Sequence, residues 1–147
     1  MKKIITSILG GLAGAAALNI LHQTVKEFEH DAPRVDLIGE EAIAKGLDKV
    51  GVTPPTGDTL FTLTLTADLI SNAFYYSLIG CGNKKHLPLR GAAAGLAAGI
   101  GALVLTKPMG LSDAPVTRTE KTKVMTVAWY TFGGVVAGLV IEALRKK

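Results

Sequence analysis

Gly91-Ala92-Ala93-Ala94-Gly95-Leu96-Ala97-Ala98-Gly99-Ile100-Gly101-Ala102-Leu103-Val104-Leu105-Thr106 decides the fold. These sixteen residues carry no charge and lie between Arg90 and Lys107. A helix on the surface of a soluble domain keeps a polar face, and this stretch has none on any side. Each interior glycine also costs about 1 kcal/mol relative to alanine for a helix in water. In lipid the backbone must satisfy its own hydrogen bonds, so the helix forms regardless. Roughly 20 residues cross a bilayer, so the span is expected to extend over residues 89–109.

Three further apolar blocks flank it. Ile4 to His22 is free of Asp, Glu, Lys and Arg; Thr59 to Gly80 holds one charge, Asp68; Val124 to Leu144 holds one near its end, Glu142. The mean hydropathy of +0.36 coexists with sixteen basic and twelve acidic residues, so apolar and charged segments are separated along the chain. The sequence predicts an all-α polytopic membrane protein, one membrane domain over residues 1–147. Its four transmembrane helices fall at about 4–22, 59–80, 89–109 and 124–144, packed through Gly/Ala faces. A soluble bundle with buried central helices is the alternative. Thr62 to Thr66 alternates like a strand for five residues, too few to outweigh the helix-length block around them. Met1-Lys2-Lys3, the apolar run after it and Ala15-Ala16-Ala17 imitate a secretory signal; the segment is read as the first span. Leu78-Ile79-Gly80-Cys81 resembles a lipoprotein box, but mid-chain.

Basic residues in short loops mark the cytoplasmic side. Lys2, Lys3, Lys84, Lys85, Arg90, Arg145, Lys146 and Lys147 cluster densely on one side of a four-span chain. Lys26, Arg34, Lys45, Lys49, Lys107, Arg118, Lys121 and Lys123 are spread over longer loops on the other. Both termini are therefore expected inside, in a bacterial cytoplasmic (inner) membrane.

The first loop opens with Lys26 to Asp31, expected to prolong the first helix until Ala32-Pro33 breaks it. Leu37, Ile38, Ala42, Ile43, Leu47 and Val50 then recur at helical spacing among charges. They predict an amphipathic helix over residues 36–50, lying in the membrane interface or capping the bundle's outer end. Thr117 and Glu120 have the spacing of a capping box for the last helix. Asp31-Ala32-Pro33 and Asp113-Ala114-Pro115, with Ala73-Phe74-Tyr75 and Ala128-Trp129-Tyr130, suggest a duplicated helical hairpin related by an axis along the membrane normal.

Glycine recurs every fourth residue at Gly91, Gly95 and Gly99, a glycine-zipper pattern. Gly10 and Gly14 pair in the first span, and Gly134 and Gly138 in the fourth. In lipid such faces allow close helix packing, within the chain or against a second copy or another membrane subunit. The second span differs. Thr64, Asp68 and Asn72 are spaced by four, so a polar seam runs down one face. Asp68 lies near mid-membrane, where an ionised carboxylate costs about 2.5–3.5 kcal/mol on insertion scales. It must face the bundle interior and find donors. Depth matching offers a polar cluster of Asn19, Asp68, Asn72 and Tyr130.

No metal-ligand spacing links His22, His30, Glu29 and Asp31, and no nucleophile–histidine–acid set or phosphate-cradling loop is present. One cysteine, Cys81, excludes a disulfide framework. No basic run interleaved with aromatics points to nucleic acid. Metal and cofactor are thus expected to be none, and the lipid bilayer is the expected partner. The expected function is a non-enzymatic accessory or structural membrane protein acting through helix packing. The alternative is a small proton- or cation-linked transporter or channel using Asp68.

Overall fold

The computed structural model describes residues 1–82 and 85–146. Lys84 and Lys147 of the inner basic set lie outside the described residues, as does Asn83. The described chain is helical throughout, without strands: α1 (Lys2–Val25), α2 (Val35–Lys49), α3 (Gly57–Ser77), α4 (Leu87–Val104), α5 (Ala114–Thr117) and α6 (Glu120–Lys146), with a 3-10 turn at Leu78–Gly80. The Thr62–Thr66 alternation lies inside α3. α1, α4 and α6 are long and apolar enough to cross a membrane. That composition points to a membrane location. α3 has comparable length at 21 residues, but its threonines, Ser71, Asn72 and Asp68 keep it outside that group.

Element boundaries shift from expectation for local reasons. α1 stops at Val25 rather than running to Asp31, because the next residues spend their hydrogen bonds elsewhere. Arg118 donates to the His30 carbonyl, Thr122 Oγ1 to the Asp31 carbonyl at 2.8 Å, and Lys121 pairs with Glu29. α4 stops at Val104 and does not reach Met109; residues 105–110 form turns ahead of and around Pro108. Its 18 residues span about 27 Å at 1.5 Å each, close to a hydrocarbon core of about 30 Å. The N-terminal cap of α6 is Thr119, not Thr117. Thr119 Oγ1 accepts the Thr122 N–H at 3.0 Å, while Thr117 Oγ1 donates to the Asp113 carbonyl.

The four long helices form a row in the order α4, α6, α1, α3. α6 packs against α4 and α1, α1 packs against α3, and α3 and α4 touch sparingly. A two-fold axis along the membrane normal would exchange α1 with α4 and α3 with α6. The α1–α6 contact would then need an α3–α4 counterpart of equal extent, which is missing. The matched triplets also diverge: Trp129 is buried while Phe74 is 70% exposed.

Backbones approach closely along the row. A side-chain carbon on Gly95 would lie 2.6 Å from Thr131 Cα, and one on Gly99 would lie 2.6 Å from Val127 Cα. On Gly91 or Gly134 it would strike the other's carbonyl oxygen. Gly138 faces Leu87 and Pro88, Gly14 faces Gly133 and Ala137, and Gly10 faces Ile141 and Ala137.

The two ends of the chain meet. Arg145 Nε donates to Thr6 Oγ1 at 3.1 Å. Its Nη2 donates to Ser7 Oγ and to the Gly80 carbonyl, both at 2.8 Å. The beginning of α1 and the end of α6 therefore lie on one side of the bundle.

Candidate functional site: the cavity over Asp68

α1 and α3 run antiparallel, and their register sets the site. Asn19 Nδ2 donates to Asp68 Oδ2 at 2.9 Å. Asn72 Nδ2, one helical turn along α3, donates to Asp68 Oδ1 at 2.9 Å. Each carboxylate oxygen thus accepts from a neutral amide. Among the described residues no cation pairs with Asp68. Asn19, Asp68 and Asn72 come together as the sequence predicts. Tyr130 reaches the same cavity but makes no hydrogen bond to Asp68 among the described residues. It stacks edge-on to His22, with centroids 5.9 Å apart.

One turn further toward the α2 side, Thr64 lies above Asp68 on α3 and His22 above Asn19 on α1. Both are buried, at 3% and 7% exposure. Neither Thr64 Oγ1 nor His22 Nε2 has a hydrogen-bond partner among the described residues. Buried polar atoms are nearly always paired, so two such atoms beside a carboxylate are unusual. The His22 ring packs against Trp129 at 5.0 Å.

These groups open on a cavity of about 410 Å³ between α3, α4 and α1. Phe61, Leu65 and Leu105 supply part of its apolar wall, and Gly101 and Ala102 keep the α4 side thin. α2 forms the roof through Val35, Ile38, Gly39 and Ala42, a set one helical face wide. It packs on α3 and α5 and so takes the capping position. A side-chain carbon on Gly39 would lie 2.6 Å from Thr64 Cγ2, so glycine there lets the roof descend onto the seam.

Polar tethers fix α2 at both ends. Asp36 accepts a two-pronged bond from Arg34, at 2.9 Å from Nε and 2.8 Å from Nη2, and pairs with Lys26 at 3.3 Å. Burial pushes the Asp36 carboxyl up, but the hydrogen bonds and charges of Arg34 and Lys26 outweigh it and hold the group below its ordinary 3.8. Lys26 also sits 4.9 Å above the Phe61 ring. Further along, Lys45 donates to the Gly110 carbonyl at 2.7 Å, and Glu41 accepts the Ser112 N–H at 2.8 Å.

Among the described residues no group of three His, Cys, Asp or Glu side chains converges as metal ligands. Asp36 lines the cavity too, already neutralised by Arg34 and Lys26. The roof contacts and the unpaired His22 and Thr64 went unread in the sequence. The spacing of Val35, Ile38, Gly39 and Ala42 was the available signal for the first; nothing local marks the second. Cys81 is exposed and free. No protein-family model, curated protein or solved structure matches this chain.

Proposed function

We propose that the chain crosses a bacterial cytoplasmic membrane four times, with both termini inside, and takes up a proton or small cation at Asp68. It acts as a non-enzymatic protein of transporter or channel type. α3 is the fourth span: it lies along the apolar α1, and its seam faces the cavity rather than lipid. The glycine faces serve the same assembly. In lipid, where apolar attraction between helices is weak, they let α4 and α1 close on α6.

One observation carries the reading: Asp68 faces an unfilled cavity and is held by two neutral amides, with no cation beside it among the described residues. Hydrogen bonds to a charged group are worth about 1.5–3 kcal/mol each. Two of them offset an insertion cost of about 2.5–3.5 kcal/mol, so the ionised form is sustainable and ready for a cationic guest. The accessory role through glycine faces has less support, since each of the seven predicted glycines meets a helix of the same chain.

Charge displacement on a solid-supported membrane tests this. Jumps in proton, sodium or alkylammonium concentration should produce a transient current from wild-type proteoliposomes. Asp68→Asn, folded and inserted, should lose it. Wild-type vesicles silent to every cation would overturn the proposal.

A further inference from the structure

Resting on that cation site, we infer that its guest is a primary ammonium with an apolar body, rather than a metal ion. The Asn19–Asp68 hydrogen bond fixes the α1–α3 register. His22 and Thr64 therefore share the next level toward the roof, directly above the carboxylate. Three acceptors line this part of the cavity: the Asp68 carboxylate, Thr64 Oγ1, and His22 Nε2 in the tautomer protonated at Nδ1. A primary ammonium presents three N–H donors and accepts nothing, so it satisfies both orphaned atoms and the charge together.

A metal cation finds a poor fit. Hard cations want about six to eight oxygens, and around Asp68 the amide groups of Asn19 and Asn72 present nitrogen, not oxygen. The remaining wall is hydrocarbon from Ile38, Phe61, Leu65 and Leu105, which suits an alkyl or aryl body. A site of a few hundred Å³ with apolar walls and few polar anchors is the usual form of a small-molecule pocket.

The protein carries its own reporter. Trp129 is the single tryptophan, and its ring contacts His22. Full-length protein in lipid nanodiscs is titrated with hexylammonium chloride, hexan-1-ol and sodium chloride, and taken through a pH step, while Trp129 emission is followed. Hexylammonium should give a saturable change that hexanol and sodium do not reproduce. Asp68→Asn should weaken it by on the order of a hundredfold, as loss of one partner of a buried ion pair does. Thr64→Val, nearly isosteric, should weaken it about fivefold, the worth of one hydrogen bond. Ala42→Phe, which narrows the space under the roof without touching the carboxylate, should block it. Should Asp68→Asn fail to fold, the latter two variants decide.

Equal response to hexanol, or indifference of the hexylammonium response to Thr64→Val and Ala42→Phe, would overturn the ammonium assignment. A response to sodium or acid that depends on Asp68, with none to hexylammonium, would also overturn it while leaving the broader cation reading standing. No Asp68-dependent response to any probe would remove both.

Discussion

Asp68 and Asp36 show how one residue type behaves in two surroundings. Asp68 is solvated by amides and left without a cation; Asp36 is neutralised by Arg34 and Lys26. The neutralised one has the clearer pH signature. Its folded pKa lies below its ordinary 3.8, so its contribution is fully present above about pH 4 and is lost as pH falls through the folded value. A spin label at Asp48→Cys, on the exposed end of α2, should be more mobile at pH 2.5 than at pH 6. Adding Asp36→Asn should raise mobility at pH 6 and shrink the difference. Glu41, also held low by the Lys45 hydrogen bond, accounts for what remains. Equal mobility at both pH values in the parent would refute the tether. The polar seam was legible residue by residue because four-residue spacing puts Thr64, Asp68 and Asn72 on one face. Donor assignment succeeded for Asn19 and Asn72 because depth follows from rise per residue. The orphaned state of His22 and Thr64 was illegible, since an unmade hydrogen bond is a property of neighbours, not of spacing.

Among elements, α4 and α6 are the most closely apposed pair, and Gly95 sits between them. Gly95→Leu would place a branched side chain against the Tyr130 carbonyl and Thr131 Cα. Overpacking costs about 1–3 kcal/mol where the surroundings can adapt; here the obstacle is backbone, so a loss of at least about 3 kcal/mol is expected. Thermal unfolding in mild detergent should show it as a lower midpoint, and an unchanged midpoint would mean that the helices are not so close. Periodicity located every helix, because apolar runs and their polar breaks are local. It misjudged three ends. α1 ends early because Arg118 and Thr122, far along the chain, compete for its carbonyls. α4 stops at Val104, short of the extended span, ahead of turns around Pro108. The cap of α6 moved from Thr117 to Thr119, two threonines that are alike in sequence and differ in what their hydroxyls meet. The placement of α2 as a roof depends on Glu41 and Lys45 reaching the α4–α5 connection, again a distant partner.

At the scale of the whole molecule, large apolar residues such as Ile4, Ile8, Ile20, Phe74 and Leu139 stay exposed, far beyond the patch a soluble monomer shows. The purified chain should remain monodisperse in detergent or nanodiscs and aggregate when the amphiphile is removed. A single sharp peak by size-exclusion chromatography in plain buffer would contradict the membrane reading. The order of the row was beyond the sequence, because each glycine face is equally inviting until all four helices compete for it. That order leaves the outermost helices as facing banks of a channel-like gap. Among the described residues, the hydrogen bond that bridges them is from the Tyr75 hydroxyl to the Ala94 carbonyl, at 2.9 Å. Tyr75→Phe removes this latch at little cost in volume and should speed exchange of a bound hexylammonium several-fold by stopped-flow, leaving its equilibrium affinity nearly unchanged. A guest carrying a greasy tail then has a sideways route, slipping in from among the acyl chains instead of descending from water.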